Sequence, residues 1–273
     1  MINEGRLLSQ HGFAKANSWI TMILAALLMV GGAIEFVFLL ALGRTGNDGL
    51  HIITLTAIFS VGLGVTLFLL RHYTKPKQIY QLHENGILVI NESDKKNRFI
   101  PFERITEIYR YRTGKYTRKI LDTMAFREGN DKYWHRIPAN ITHAERLIEV
   151  IKNEQLMSRG PQALSILAND GSFSFTYLAA STSKLQHLFR SNLLMLNEKK
   201  IRLSARFITS DEGLCIPVED IHYISGGSNS QMIRLLDSHG RILFSILYTS
   251  LLSADLFIAL IEHMIQNRIP IRD

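Results

Sequence analysis

The sequence predicts an α+β protein: a two-helix transmembrane hairpin, then two tandem antiparallel β modules, each closed by a C-terminal helix. Three observations predict it. Two long apolar runs, Trp19–Leu42 and Leu50–Leu70, stand almost free of charge near the N-terminus. Beyond residue 77, β-rich stretches alternate with turn signals. The order of those stretches then occurs a second time.

A helix rises about 1.5 Å per residue, so the two runs reach about 36 and 31 Å, enough to cross a ~30 Å hydrocarbon layer. They exceed the roughly 7–15 residues of a signal-peptide core, so an uncleaved hairpin is expected despite the small residues at Ala41-Leu42-Gly43. Arg6 and Lys15 precede the first run, and Arg71, Lys75 and Lys77 follow the second, whereas the connecting Gly43–Gly49 holds Arg44 offset by Asp48. The positive-inside bias then puts both termini in the cytoplasm. Trp19 and Tyr73 sit where interfacial aromatics anchor helices.

Glu35 lies inside the first run. An acid there costs roughly 2.5–3.5 kcal/mol near a bilayer centre. It is read either as an intramembrane polar site or as a carboxyl satisfied by Thr54, Thr56 or Ser60 on the neighbouring helix. Gly31-Gly32-Ala33 and Ser60–Gly64 offer small residues for close helix contact, which closes the hairpin and also allows a homo-oligomer.

The chain has 273 residues, a net charge of +7 and 47% hydrophobic residues. Part of the basic excess adjoins the hairpin, where anionic lipid attracts it. No nucleic-acid-binding pattern accompanies the charge, and no nucleic-acid partner is expected. Cys215 is the single cysteine, which excludes an intrachain disulfide and any paired-thiolate metal site.

Along the chain, Gln78–Asn91 reads as two strands flanking Asn85-Gly86, a strong hairpin signal. Arg98–Tyr111 returns to strand character, with an edge or bulge at Pro101. Ile120–Arg127 and Lys132–Ile137 follow, parted by a turn at Glu128–Asp131. A helix then begins behind Thr142 as cap, with Glu145 completing a capping box and Ala144, Leu147, Ile148 and Ile151 on one face. Ser158–Asn192 is read as a lead-in: a hairpin of Ala163–Leu167 and Ser172–Leu178 about Asn169-Asp170-Gly171, then an amphipathic helix at Thr182–Arg190. Strands Met232–Leu236 and Ile242–Tyr248 flank the turn Asp237–Gly240, and a helix at Ser253–Gln266 closes the chain.

The repeat rests on two parallels. Met195–Ile201 matches Gln81–Ile87, and Ile216-Pro217-Val218-Glu219-Asp220-Ile221-His222-Tyr223-Ile224 matches Ile100-Pro101-Phe102-Glu103-Arg104-Ile105-Thr106-Glu107-Ile108. The expected division is 1–77 for the N-terminal segment and hairpin, 78–157 for module 1, and 158–273 for module 2 with its lead-in at 158–192.

The Ile-Pro-x-Glu-x-Ile-x-x-Ile stretch, set between a strand-turn-strand and further strands with a helix, resembles bacterial pleckstrin-homology-like (PH-like) domains. The resemblance covers Gln78–Gln155 well and Met195–Gln266 less well. It implies a bent antiparallel sheet or barrel closed by a helix, in a membrane protein with a preceding helical hairpin. It also implies lipid, peptide or oligomerisation sites rather than an enzyme.

The distinctive soluble run is Tyr109-Arg110-Tyr111-Arg112-Thr113-Gly114-Lys115-Tyr116-Thr117-Arg118-Lys119. As a hairpin loop it can hold phosphate or an acidic surface through Tyr109, Arg110, Tyr111, Arg112, Lys115, Tyr116, Arg118 and Lys119. It reads equally as a strand edge guarded by charge. No histidine pair with an acid, nucleophile elbow or phosphate loop is present, so no catalytic residue, metal or cofactor is expected. The expectation is a bacterial inner-membrane protein facing the cytosol that binds a protein partner or anionic headgroups. The rival expectation is an immunity protein neutralising an interbacterial toxin.

Overall fold

The first strand, β1 (Leu7–His11), finds its partner only after 66 intervening residues, in β2 (Gln78–His83). The computed structural model describes residues 4–13, 15–42, 49–74, 78–91, 97–111, 123–129, 133–138, 140–178, 198–226 and 231–269. Between β1 and β2 run α1 (Lys15–Leu42) and α2 (Gly49–Thr74), packed antiparallel on each other. Ser9 pairs with Leu82 and His11 with Tyr80, so the chain leaves and re-enters one sheet at neighbouring positions. The hairpin is therefore an insertion within the first β unit. The expected boundary at residue 77 is corrected: residues before the hairpin belong to the unit after it.

Both helices carry their apolar side chains outside the protein cores. Trp19, Leu27 and Phe38 on α1, and Ile52, Leu55 and Phe59 on α2, are exposed. A helix in a soluble core buries such residues, whereas here 17% and 11% of the two apolar stretches are buried. Both are long and apolar enough to cross a membrane. Their contact runs through Gly32 and Gly64. A Cβ on Gly32 would stand 2.9 Å from the Ala57 carbonyl, and one on Gly64 would stand 2.9 Å from that of Ala25. Gly31 and Gly62 meet nothing, so two of the expected small residues make the contact and two do not.

Among the described residues the β region forms four antiparallel sheets. β1 and β2 continue into β3 (Gly86–Asn91) and β4 (Asn97–Pro101), giving the order β1-β2-β3-β4. His83 pairs with Gly86, which places the tight turn at Glu84-Asn85, one residue earlier than the sequence suggests. Pro101 ends β4 on the sheet edge, where a missing N–H breaks no ladder. A 3-10 turn at Phe102–Arg104 then leads into a second sheet of β5 (Ile105–Tyr111), β6 (Thr123–Glu128) and β7 (His135–Ile137).

Helix α3 (Ala144–Ala168) follows and departs from expectation twice. Its cap is His143 in the left-handed region (φ 51°), because Thr142 is engaged elsewhere. The Thr142 Oγ1 accepts from Gly12 N at 3.1 Å, and its own N–H donates to the Gly12 carbonyl at 2.8 Å. Moreover α3 runs straight through Gly160-Pro161, so Ala163–Leu167 is helix, not strand. The reason is burial at both ends. Leu147, Ile148 and Ile151 fill one core with Tyr80, Ile100, Met124 and Phe126, while Ala163 and Leu167 fill another. Apolar contact outweighs the local breaker.

The second core belongs to β8 (Ser172–Leu178), β9 (Glu198–Ser204), β10 (Phe207–Ser210) and β11 (Cys215–Pro217), in the order β11-β10-β9-β8. After a 3-10 turn at Val218–Asp220 come β12 (Tyr223–Ser225), β13 (Met232–Leu236), β14 (Ile242–Leu247) and α4 (Ala254–Gln266). Among the described residues each half thus has four strands, a 3-10 turn, three strands and a helix. The Ile-Pro parallel holds in this geometry. The other is shifted: Ile87 pairs with Leu82 and Ile100, and Ile208 pairs with Leu203 and Ile216. The counterpart of Gln81–Ile87 is therefore Arg202–Ile208, not Met195–Ile201. The Thr182–Arg190 helix expectation lies outside the described residues.

Candidate functional site

The two halves meet where the outer edge of β5 would otherwise present unpaired backbone groups. Ser253, the left-handed cap of α4 (φ 52°), closes that edge. Its N–H donates to the Ile108 carbonyl at 2.7 Å, and its Oγ accepts from Ile108 N at 3.1 Å. Gln155 on α3 donates to the same Oγ at 3.0 Å and to the Thr106 carbonyl at 3.1 Å. Leu252 packs beside these bonds with Tyr109, Ala125 and Leu178. On one flank Lys152 pairs with Glu149 at 3.2 Å and with Asp255 at 3.5 Å, and Asp255 accepts from the Tyr248 hydroxyl at 2.6 Å.

The other flank opens into a cleft of about 880 Å³ with walls from both halves. Arg127 on β6 lies between two carboxylates. It pairs closely with Glu107 and reaches both oxygens of Glu198 on β9 at 3.2 Å. Its guanidinium also stands 4.6 Å from the centre of the Trp134 ring. Thr176 on β8 donates to the other Glu107 oxygen at 2.6 Å. Burial opposes the Arg127 charge, but the bond to Glu198 and the field of Glu107 outweigh it and raise its pKa.

Arg159, projecting from α3, donates to the Thr106 carbonyl at 2.9 Å and lies 5.3 Å from the centre of the Phe173 ring. Burial lowers its pKa, partly opposed by Glu107. Lys200 and Ser174 complete the polar wall. The cleft thus holds one more cation than carboxylate, over an aromatic floor of Phe173 and Phe175. That combination suits a carboxylate- or phosphate-bearing segment with an apolar part. Its residues converge from β5, β6, β8, β9 and α3, and no linear spacing in the sequence announced them.

The aromatic–basic run falls differently from expectation. Tyr109 and Arg110 are strand residues of β5, not loop residues, and both side chains are buried. Tyr109 meets Trp134 edge-on, and burial raises its hydroxyl pKa to about 12. Arg110 Nη1 lies 3.8 Å from Glu149, so its charge faces the protein. Tyr111 ends β5. The Tyr111 side chain, and Arg112, Lys115, Tyr116, Arg118 and Lys119, lie outside the described residues. Glu35 is half-buried on α1, and its Oε2 has no hydrogen-bond partner among the described residues. The expected Thr56 partner bonds instead to the Ile52 and Ile53 carbonyls of its own helix. Among the described residues no group of three or more His, Cys, Asp or Glu is placed to hold a metal.

These features define a two-part α+β protein with an apolar helical hairpin inserted in its first part and a charged cleft between the parts. The chain belongs to a family of unknown function (DUF6585), whose model matches residues 8–192. That match takes in the hairpin, the rest of the first half from Leu8 onward, and β8 of the second. No curated protein matches the chain.

Proposed function

We propose that the protein is a membrane-anchored binding protein built of two tandem PH-like units, which holds an acidic segment of a protein partner in the cleft between them. The observation carrying this reading is the cleft itself, with Arg159, Lys200 and Arg127 set over Phe173 and Phe175 by elements of both halves. The repeated succession of four strands, a 3-10 turn, three strands and a helix supports the PH-like assignment. Pairing of β1 with β2 requires both ends of the hairpin on one side of a membrane. The cationic flanks support a cytoplasmic side for both ends, and the resemblance supports a bacterial inner membrane.

Two experiments test this. A photo-crosslinking residue in place of Ser174, in the full-length protein in cells, should give a discrete protein adduct that disappears with Lys200→Glu. Equal adducts with and without the charge reversal would refute the cleft as the site. A protease applied to inverted membrane vesicles should reach the β units. Protection there, with digestion from the opposite side, would overturn the orientation.

A further inference from the structure

The two chain crossings fix which end of the first half faces the hairpin. Gly12, three residues before α1, is bonded to Thr142, and Phe13 bridges Ile141. Gln78, four residues after α2, donates to the Tyr133 hydroxyl at 3.0 Å. The Tyr80 hydroxyl next to it donates to the Arg136 carbonyl at 2.5 Å. Tyr133 and the start of α3 are thus tied to the roots of the two helices.

The exposed residues around those ties are cationic and aromatic. Arg136 is exposed on β7, Tyr133 is 49% exposed, and His143 and Arg146 are exposed on the first turn of α3. His143 and Arg146 act electrostatically on His11, the last residue of β1, which locates them at the first root. Arg71 and His72 stand in the last turn of α2. Glu145 is the acid exposed in this turn of α3, and the next, Glu149, is turned to Lys152 and Arg110.

We infer that this end of the first half is a binding surface for anionic phospholipid headgroups, with Arg136 and Arg146 holding phosphates and Tyr133 at the interfacial level. A negative leaflet attracts each exposed arginine beside it, and a tyrosine places its ring in the headgroup layer with its hydroxyl in water. The inference rests on the hairpin being membrane-inserted and is independent of the cleft. It uses none of the residues of the Tyr109–Lys119 run.

The test uses the whole protein in nanodiscs of equal phosphatidylglycerol and phosphatidylcholine, with lipids retained on release counted by native mass spectrometry. Incorporation into the disc tests the anchor, and the ratio of retained lipids tests the surface. The wild type should retain phosphatidylglycerol in preference. Arg136→Ala with Arg146→Ala should lower the ratio at least fivefold, the change expected for one arginine. Arg136→Lys with Arg146→Lys should restore most of it, because charge is retained, and Arg202→Ala with Arg241→Ala in the second half should leave it unchanged. Inorganic phosphate at millimolar level should not displace the lipid. An unchanged ratio in the double-alanine variant, or failure of the lysine pair to restore a lost one, would overturn the inference.

Discussion

The two halves of the molecule repeat one order of elements but use equivalent places for different tasks. In the first half the chain between the opening strands, β1 and β2, is the apolar hairpin; in the second, residues 179–197 join β8 to β9. Both closing helices start behind a left-handed residue, His143 in one and Ser253 in the other. His143 is exposed at the hairpin end, whereas Ser253 is buried against β5. Gln155 and Arg159 join Ser253 in contacting the outer β5 edge, and their counterparts by position in the second half are the apolar Ile265, near the end of α4, and Ile269, just beyond it. One scaffold therefore gives a half that carries the apolar hairpin and a half seated on it, and α3, sharing its length between both cores, ties them together.

That tie is open to direct attack. Phe257→Ala removes a fully buried ring from the second core and should cost about 3–5 kcal/mol. Because α3 serves both cores, hydrogen exchange should rise in the first half as well; exchange confined to the second half would show two independent units. Ser253→Ala leaves the Ile108 N–H without its acceptor, removes one acceptor of the Gln155 amide and should cost about 1–3 kcal/mol. The matching change, His143→Gly, relieves a left-handed side chain and should stabilise by about 1 kcal/mol. Equal effects of opposite caps on denaturant midpoints would contradict the division of roles.

Arg127→Ala breaks the bridge from Glu107 to Glu198 and should cost about 1–2 kcal/mol, since Glu198 is partly solvated. Exchange should rise first at β5 and β9, and a uniform change over the chain would argue against a local junction effect. The smallest effect concerns pH. Burial lowers the pKa of His11, with a partly opposing bond to the Thr142 carbonyl, below its ordinary 6.5. The unfolded chain then binds the proton more readily, so stability is full above about pH 6.5 and declines as pH falls below it. Phe175 holds the corresponding place in the second half, as the matching bridges Phe13–Ile141 and Tyr177–Leu251 show. His11→Phe should flatten the pH slope in the first half, and an unaltered slope would remove His11 from the explanation.

Much of this architecture was legible in residue order. The hairpin, β8, β13, α4 and the two Ile-Pro turns follow from local pattern, because each carries its own apolar run, alternation or turn residues. β1 was not legible: Leu7–His11 is five residues with no turn signal, and its partner lies beyond two helices. α3 was divided at Ser158 and its Ala163–Leu167 end read as a strand, because the apolar demand on Ala163 and Leu167 comes from strands far along the chain. The mistaken repeat at Met195–Ile201 shows how a polar turn pattern imitates a register that only pairing defines. The cleft escaped for a related reason. Arg127, Arg159 and Lys200 each read as an ordinary surface cation until β6, α3 and β9 bring them to one opening.

The route from His11 to Tyr80 has a consequence for biogenesis. The ribosome must add 69 residues after His11 before the position that pairs with it exists. At roughly 5–20 residues per second that delay is about 3–14 s. Throughout it the nascent first strand lacks its β2 edge, while both apolar segments leave the ribosome. Completion of the sheet is therefore a late checkpoint, reached when the second segment has turned the polypeptide back towards its first strand.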